Sequence, residues 1–202
     1  MVEIVAATRN PGKLRELRQL VADLPVVVLS AEDVNLPDVD ETGATFEENA
    51  VKKAVNAARI TGRISLGEDS GLEVDALGGK PGIYSSRFAG PNATDEDRNR
   101  LILEQLAGVP WEKRTARYRA VVAVATPDGR VEISHGVCEG IIAERPDGTN
   151  GFGYDPIFFY PPFGCTFGRA TPDMKNSVSH RGQALRGILP ALRRLIQSAK
   201  ER

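Results

Sequence analysis

The spacing of the apolar residues changes twice within the first thirty positions, and this restricts the fold more than any other feature of the chain. Residues 2–7 form a short β-rich run, V-E-I-V-A-A. Leu14, Leu17, Leu20, Val21 and Leu24 then recur at helical spacing with charges between them. Residues 25–29, P-V-V-V-L, return to a strand pattern. Thr45, with Glu48 three residues on, has the capping-box spacing and opens a helix to about Thr61 that Gly62 stops. Residues 64–67 and 72–77 read as two short strands, and 92–106 as a helix. Residues 117–125, 131–135 and 136–145 read as strands of a meander, with a turn at Pro127-Asp128-Gly129. A last helix is predicted over 183–197, with a kink at Pro190. Strands and helices alternate first and strands cluster later, which predicts an α/β fold with a mixed sheet. No linker divides the 202 residues into independent domains.

Charge narrows the function. The formal net charge is −1, which argues against a non-specific nucleic-acid binder and against an anionic-membrane binder. An anion site must therefore be built locally. The two cysteines, Cys138 and Cys165, are too few for a disulfide framework or a four-ligand zinc site. With no signal-like start, free thiols and a cytoplasmic location are expected. No apolar run approaches the roughly 20 residues that a membrane span needs.

Five clusters carry possible chemistry, and each also has a plain structural reading. Residues 8–13, T-R-N-P-G-K, lie in a strand-to-helix turn. Such a turn aims free backbone N–H groups and the positive helix end at one spot, an anion site; the same residues also make an ordinary proline–glycine turn. The Walker pattern is absent. Residues 68–71, E-D-S-G, follow an apolar strand, where a carboxylate can hold a divalent ion or take a proton from water; Asp–Ser–Gly turns are also common. Residues 38–43, D-V-D-E-T-G, place three acids before a helix, as a solvated face or as partners of Asp69 around magnesium. Residues 151–156, G-F-G-Y-D-P, suit a base pocket: an aromatic face to stack on, an acid to accept from a ring N–H, and glycines that let backbone approach. The alternative is a loop packed on the core. Residues 175–182, K-N-S-V-S-H-R-G, offer a base-edge and phosphate set, or a basic helix lead-in. Occurring together, the five read as a site for a nucleoside phosphate. A nucleotidyltransferase or a non-catalytic nucleotide sensor could use the same turn.

The blocks A-T-R-N-P-G-K-L-R-E-L (7–17), E-T-G-A-T-F-E-E-N-A (41–50), E-D-S-G-L-E-V-D-A-L-G-G-K-P-G-I-Y-S-S-R (68–87), G-F-G-Y-D-P-I-F (151–158) and K-N-S-V-S-H-R-G-Q-A-L (175–185) stand in an order that resembles the non-canonical purine NTP pyrophosphatases, the inosine/xanthosine triphosphatase family. The resemblance implies Mg2+-dependent hydrolysis of ITP, dITP and XTP to the monophosphate and pyrophosphate. It also implies an elongated mixed α/β fold of two lobes with the site in the cleft between them, and a homodimer. Carried over by position, Thr8, Arg9, Asn10, Pro11, Gly12 and Lys13 would hold the triphosphate, with Lys53 as a further phosphate ligand. Asp69 would accept the proton from water and bind metal, and Ser70 would touch substrate. Either Glu41 or Asp40 would be the second metal-side acid. Phe152, Gly153, Tyr154 and Asp155 would bind the base, Lys175 would contact the nucleotide, and His180 with Arg181 would read the base edge. A donor aimed at purine O6 would meet a carbonyl in inosine and an amino group in adenine; leaving a buried donor unpaired costs about 1–3 kcal/mol.

Overall fold

Asn10 starts the first helix earlier than the leucine spacing predicts. In the computed structural model, which describes residues 1–200, its side-chain Oδ1 accepts from the backbone N–H groups of Gly12 at 2.9 Å and Lys13 at 3.1 Å. Pro11 occupies the first helical position, where its missing N–H and fixed φ cost nothing. Helix α1 therefore runs Pro11–Leu20, between strands β1 (Val2–Ala6) and β2 (Val26–Ser30). Helix α2 (Phe46–Thr61) opens with Thr45 Oγ1 accepting from Glu48 N at 3.1 Å. The Glu48 carboxylate reaches back to Ala44 N, one residue short of a reciprocal capping box. Gly62, at φ 64°, ends it in the left-handed region.

The remaining elements are β3 (Ile64–Val74), α3 (Asp95–Gln105), β4 (Thr115–Ala125), β5 (Val131–Ile142), β6 (Phe158–Tyr160), β7 (Cys165–Thr166), α4 (Pro172–Val178) and α5 (His180–Lys200). The strands form one mixed sheet in the order β2-β1-β3-β4-β5-β6-β7. Strand β1 is parallel to β2 and β3, whereas β6 is antiparallel to β5 and β7. No helix among the described residues is long and apolar enough to cross a membrane.

Three expectations change. The segments 64–67 and 72–77 are one strand up to Val74, so Glu68-Asp69-Ser70-Gly71 lies inside β3 rather than in a turn. The residues predicted as two strands from 131 to 145 are the single strand β5, which passes through a buried Gly136. The stretch 149–167, whose glycines, prolines and aromatics read as one long loop, contains β6 and the edge strand β7.

The chain forms two compact units. The first comprises Met1–Asp69, Ala120–Gly136 and the chain from Arg181 onward. Its core gathers Ile4 and Ala6 of β1, Leu66 of β3, Val122 of β4, and Ile188 and Leu192 of α5. The second comprises Ser70–Arg119 and Val137–His180, with a core that includes Leu72, Ile102, Leu106, Ile142, Phe158 and Phe167.

Candidate active site

In the first unit, the turn between β1 and α1 offers fewer open donors than its sequence suggests. Asn10 Oδ1 takes the N–H groups of Gly12 and Lys13, and Thr8 Oγ1 takes that of Asn10 at 3.1 Å. The pull on an anion here rests on the positive end of α1 and on Lys13. Arg9 leans outward, with Nε 2.7 Å from Asp38 Oδ1 and Nη2 2.6 Å from Leu36 O, which ties the turn to the acidic loop. Lys13 Nζ lies 3.5 Å from Glu68. Burial lowers the Lys13 pKa; Glu68 opposes this, Arg181 and Lys53 add to it, and the result is below the ordinary lysine value.

Side chains alternate across a strand, so Gly67 and Asp69 of β3 share one face while Glu68 points to the other. The Gly67–Asp69 face meets α2. A Cβ on Gly67 would stand 2.2 Å from Ala50 O and 2.5 Å from Ala54 N, so only glycine lets the helix come this close. That approach brings Asn49 Nδ2 to 3.1 Å from Asp69 Oδ2 and Lys53 Nζ to 3.4 Å from Asp69 Oδ1. Lys53 Nζ also donates to Glu68 O at 3.0 Å and pairs with the Glu41 carboxylate. Glu41 and Asp69 thus converge on one ammonium. Asp40 is exposed, and its backbone carbonyl accepts from Lys52 at 2.7 Å. Burial raises the Asp69 pKa above the ordinary aspartate value, against the pull of Lys53 and Lys13 and with a push from Glu41. A carboxylate so placed is a better proton acceptor than an exposed one.

On the opposite face of β3, Arg181 Nε donates to both oxygens of Glu68 at 2.9 Å, and its Nη1 donates to Glu16. Burial alone would lower the Arg181 pKa, but Glu68 and Glu16 raise it further, so this buried guanidinium keeps its charge. Arg181, expected beside His180 at a base edge, donates to Glu68, the carboxylate that Lys13 also faces.

In the second unit, Asp155 organises the glycine–aromatic loop. Its Oδ2 accepts from Lys175 Nζ at 2.6 Å and from Phe152 N at 2.9 Å, and its Oδ1 accepts from Tyr118 OH at 3.2 Å. Three of its roughly four acceptor positions are therefore used within the protein. Gly151 has φ +73°, and a Cβ there would lie 2.0 Å from Asp155 Oδ2. Lys175 Nζ sits 4.7 Å over the Phe152 ring, a cation–π contact. His180 stacks on Tyr118 with centroids 4.4 Å apart and planes 7° from parallel. Tyr154, expected at the base, is buried in the core, and its OH donates to Ser85 O at 2.7 Å. Ser70 is half-buried on β3. Sequence reasoning gave no role to Glu16, Asn49 or Tyr118, and none of them carries a local signal. Their partners lie 20 to 165 residues away, at Asp69, Asp155 and Arg181.

The sequence pattern of the Ham1 family matches residues 4–191. This chain belongs to the Ham1 family. It is 50% identical over 186 residues to the dITP/XTP pyrophosphatase of Geobacter sulfurreducens, which covers 92% of this chain and 94% of that protein. It is 48% identical over 190 residues to the dITP/XTP pyrophosphatase of Thermus thermophilus, covering 94% and 91% of the two chains. The solved structure of a HAM1 protein from Coxiella burnetii superimposes with a TM-score of 0.87 at 44% identity, over 96% of this chain and all of that one.

Within this Ham1 chain, Glu41 and Asp69 are the donor pair that suits a hard divalent ion. No group of three or more metal-binding side chains occurs among the described residues. Magnesium is commonly held by one or two carboxylates with substrate phosphates and water completing the shell. Two carboxylates drawn to one cation, here Lys53, fit that chemistry.

Proposed function

We propose that this Ham1 protein hydrolyses the non-canonical purine triphosphates ITP, dITP and XTP to the monophosphate and pyrophosphate; its relatives carry the name dITP/XTP pyrophosphatase. The observation that carries the reading is the Glu41–Asp69 pair set around Lys53, with Lys13 beside Glu68, the neighbouring residue of the same strand.

Lys13, Lys53 and the start of α1 bind the polyphosphate and offset its charge, which otherwise repels a nucleophile. Asp69 takes a proton from water as the water oxygen bonds to the α-phosphorus. The bond to the bridging oxygen breaks, and that oxygen leaves with pyrophosphate. Glu41 and Asp69 would hold magnesium, which when bound neutralises developing phosphate charge; Glu41 is favoured over Asp40 because its carboxylate faces Lys53. The Phe152 ring gives a stacking surface for a purine opposite the side taken by Lys175. The His180 plane, fixed by Tyr118, supplies an in-plane edge for the base. Arg181 fixes Glu68, the partner of Lys13. A homodimer in the cytoplasm completes the proposal, and light scattering on the purified protein tests the dimer.

The test is a panel of ITP, dITP, XTP, GTP and ATP with magnesium or EDTA, reading monophosphate, pyrophosphate and orthophosphate separately. Equimolar monophosphate and pyrophosphate from ITP, absent with EDTA and far slower from ATP, is expected. Orthophosphate release, or equal kcat/KM for ITP and ATP, defeats the proposal.

A further inference from the structure

Gly153 lies between Phe152, which the proposed function gives to the base, and Asp155, which organises the loop, and both sides of its backbone are held from outside the loop. Its N–H donates to Asp95 Oδ2 at 2.7 Å, and its carbonyl accepts from Asn99 Nδ2 at 3.1 Å. Asp95 and Asn99 are four residues apart, so they share one face of α3 and meet the loop together. Gly153 has φ +61°, a left-handed conformation that sets the angle between Phe152 and Asp155. Asp95 is itself steadied by Arg98, whose Nη1 donates to Ala93 O at 2.7 Å and Ser86 O at 3.0 Å. Asn99 is 4% exposed, and its Oδ1 has no hydrogen-bond partner. Burying a half-satisfied amide is unfavourable, so the bond from Nδ2 to Gly153 is the contact that accounts for an asparagine in this core position.

We infer that Asp95 and Asn99 are positioning residues that fix the purine-binding loop through Gly153, so that α3 tunes nucleotide selectivity without touching the base. The inference rests on the base assignment above. It is tested on the full-length enzyme with Asp95→Ala, Asn99→Ala, Asp95→Asn and Asp97→Ala. Asp97 caps α3 by accepting from Thr94 N at 3.0 Å and does not reach the loop, so its variant reports helix-end weakening alone. Asp95→Ala and Asn99→Ala are expected to raise KM for ITP about tenfold and narrow the ITP-to-ATP ratio, with kcat within about twofold. Asp95→Asn keeps an acceptor for Gly153 N–H and restores most of the KM. Asp97→Ala lowers Tm but leaves KM and selectivity at wild-type values. If Asp95→Ala does not fold, Asn99→Ala, which leaves the cap intact, decides the matter. An ITP-selective wild type whose Asn99→Ala variant keeps wild-type KM and selectivity overturns this inference alone. Equal KM changes in Asp97→Ala overturn it too. A wild type without ITP selectivity removes the base assignment and this inference with it.

Discussion

Asp69 and Gly67 divide the work of one strand face. Asp69 supplies the carboxylate, and Gly67 supplies the close approach that brings Asn49 and Lys53 to it. Asp69→Asn keeps the shape and removes the proposed proton acceptor; we expect kcat to fall about 10²–10⁴-fold. Nucleotide affinity, measured by calorimetry, should stay within the same range as the wild type. Gly67→Ala acts through sterics, because its Cβ would meet backbone rather than a flexible side chain. It should cost about 1–3 kcal/mol in denaturant unfolding and reduce activity as the helix shifts away. Cys138 is a contrasting residue. Burial first, then Glu139 and Asp155, push its thiol pKa up to about 12, against a smaller opposing effect of Lys175. A raised thiol pKa leaves less thiolate at any lower pH, so at pH 9 only about one molecule in a thousand carries it. Mass spectrometry after alkylation at pH 9 should find Cys165, which is half-buried, modified and Cys138 intact until denaturant is added.

Helix α3 is secured at both ends, by the loop contacts of Asp95 and Asn99 and by Arg114. The Arg114 guanidinium, 4% exposed, donates to Ile142 O, Leu106 O, Val109 O and Ala143 O at 2.8, 3.0, 3.4 and 2.9 Å. Arg114→Met would fill similar space but leave buried carbonyls without donors. A loss of about 3 kcal/mol or more is expected, measured as a lowered urea midpoint. Most helices and the opening β–α–β alternation were legible because apolar spacing, Asn and Thr caps and Gly62 are local features. The start of α1 was misjudged because the leucines begin after the cap. Strand β3 was split for a different reason: Glu68-Asp69-Ser70-Gly71 has turn composition, and what makes it strand is distant. Asn49 and Lys53 satisfy Asp69, and Arg181 satisfies Glu68. The motifs drew attention to the segments of Lys13, Asp69, Asp155 and Lys175, each of which the fold sets in an ion pair, whereas the pairing of Arg181 with Glu16 spans 165 residues and leaves no trace in spacing.

At the scale of the whole molecule, the chain passes between the two units four times, after Asp69, Arg119, Gly136 and His180. Glu41, Asp69 and Arg181 fall in the first unit; Asp155, Lys175 and His180 fall in the second. Neither unit is a continuous piece, so no single cut releases one intact. A chain ending at His180 lacks α5 and with it Ile188 and Leu192, which share a core with Ile4, Leu66 and Val122. Such a truncation should bind a hydrophobic dye and lose its cooperative thermal transition. The same arrangement dictates an order of events during synthesis. Until α5 is made, the face of β1 that carries Ile4 and Ala6 is covered by Leu17 and Val21 but lacks Ile188 and Leu192. The core of the first unit is therefore completed only once α5 has been made, and until then part of its apolar surface is open to other apolar surfaces.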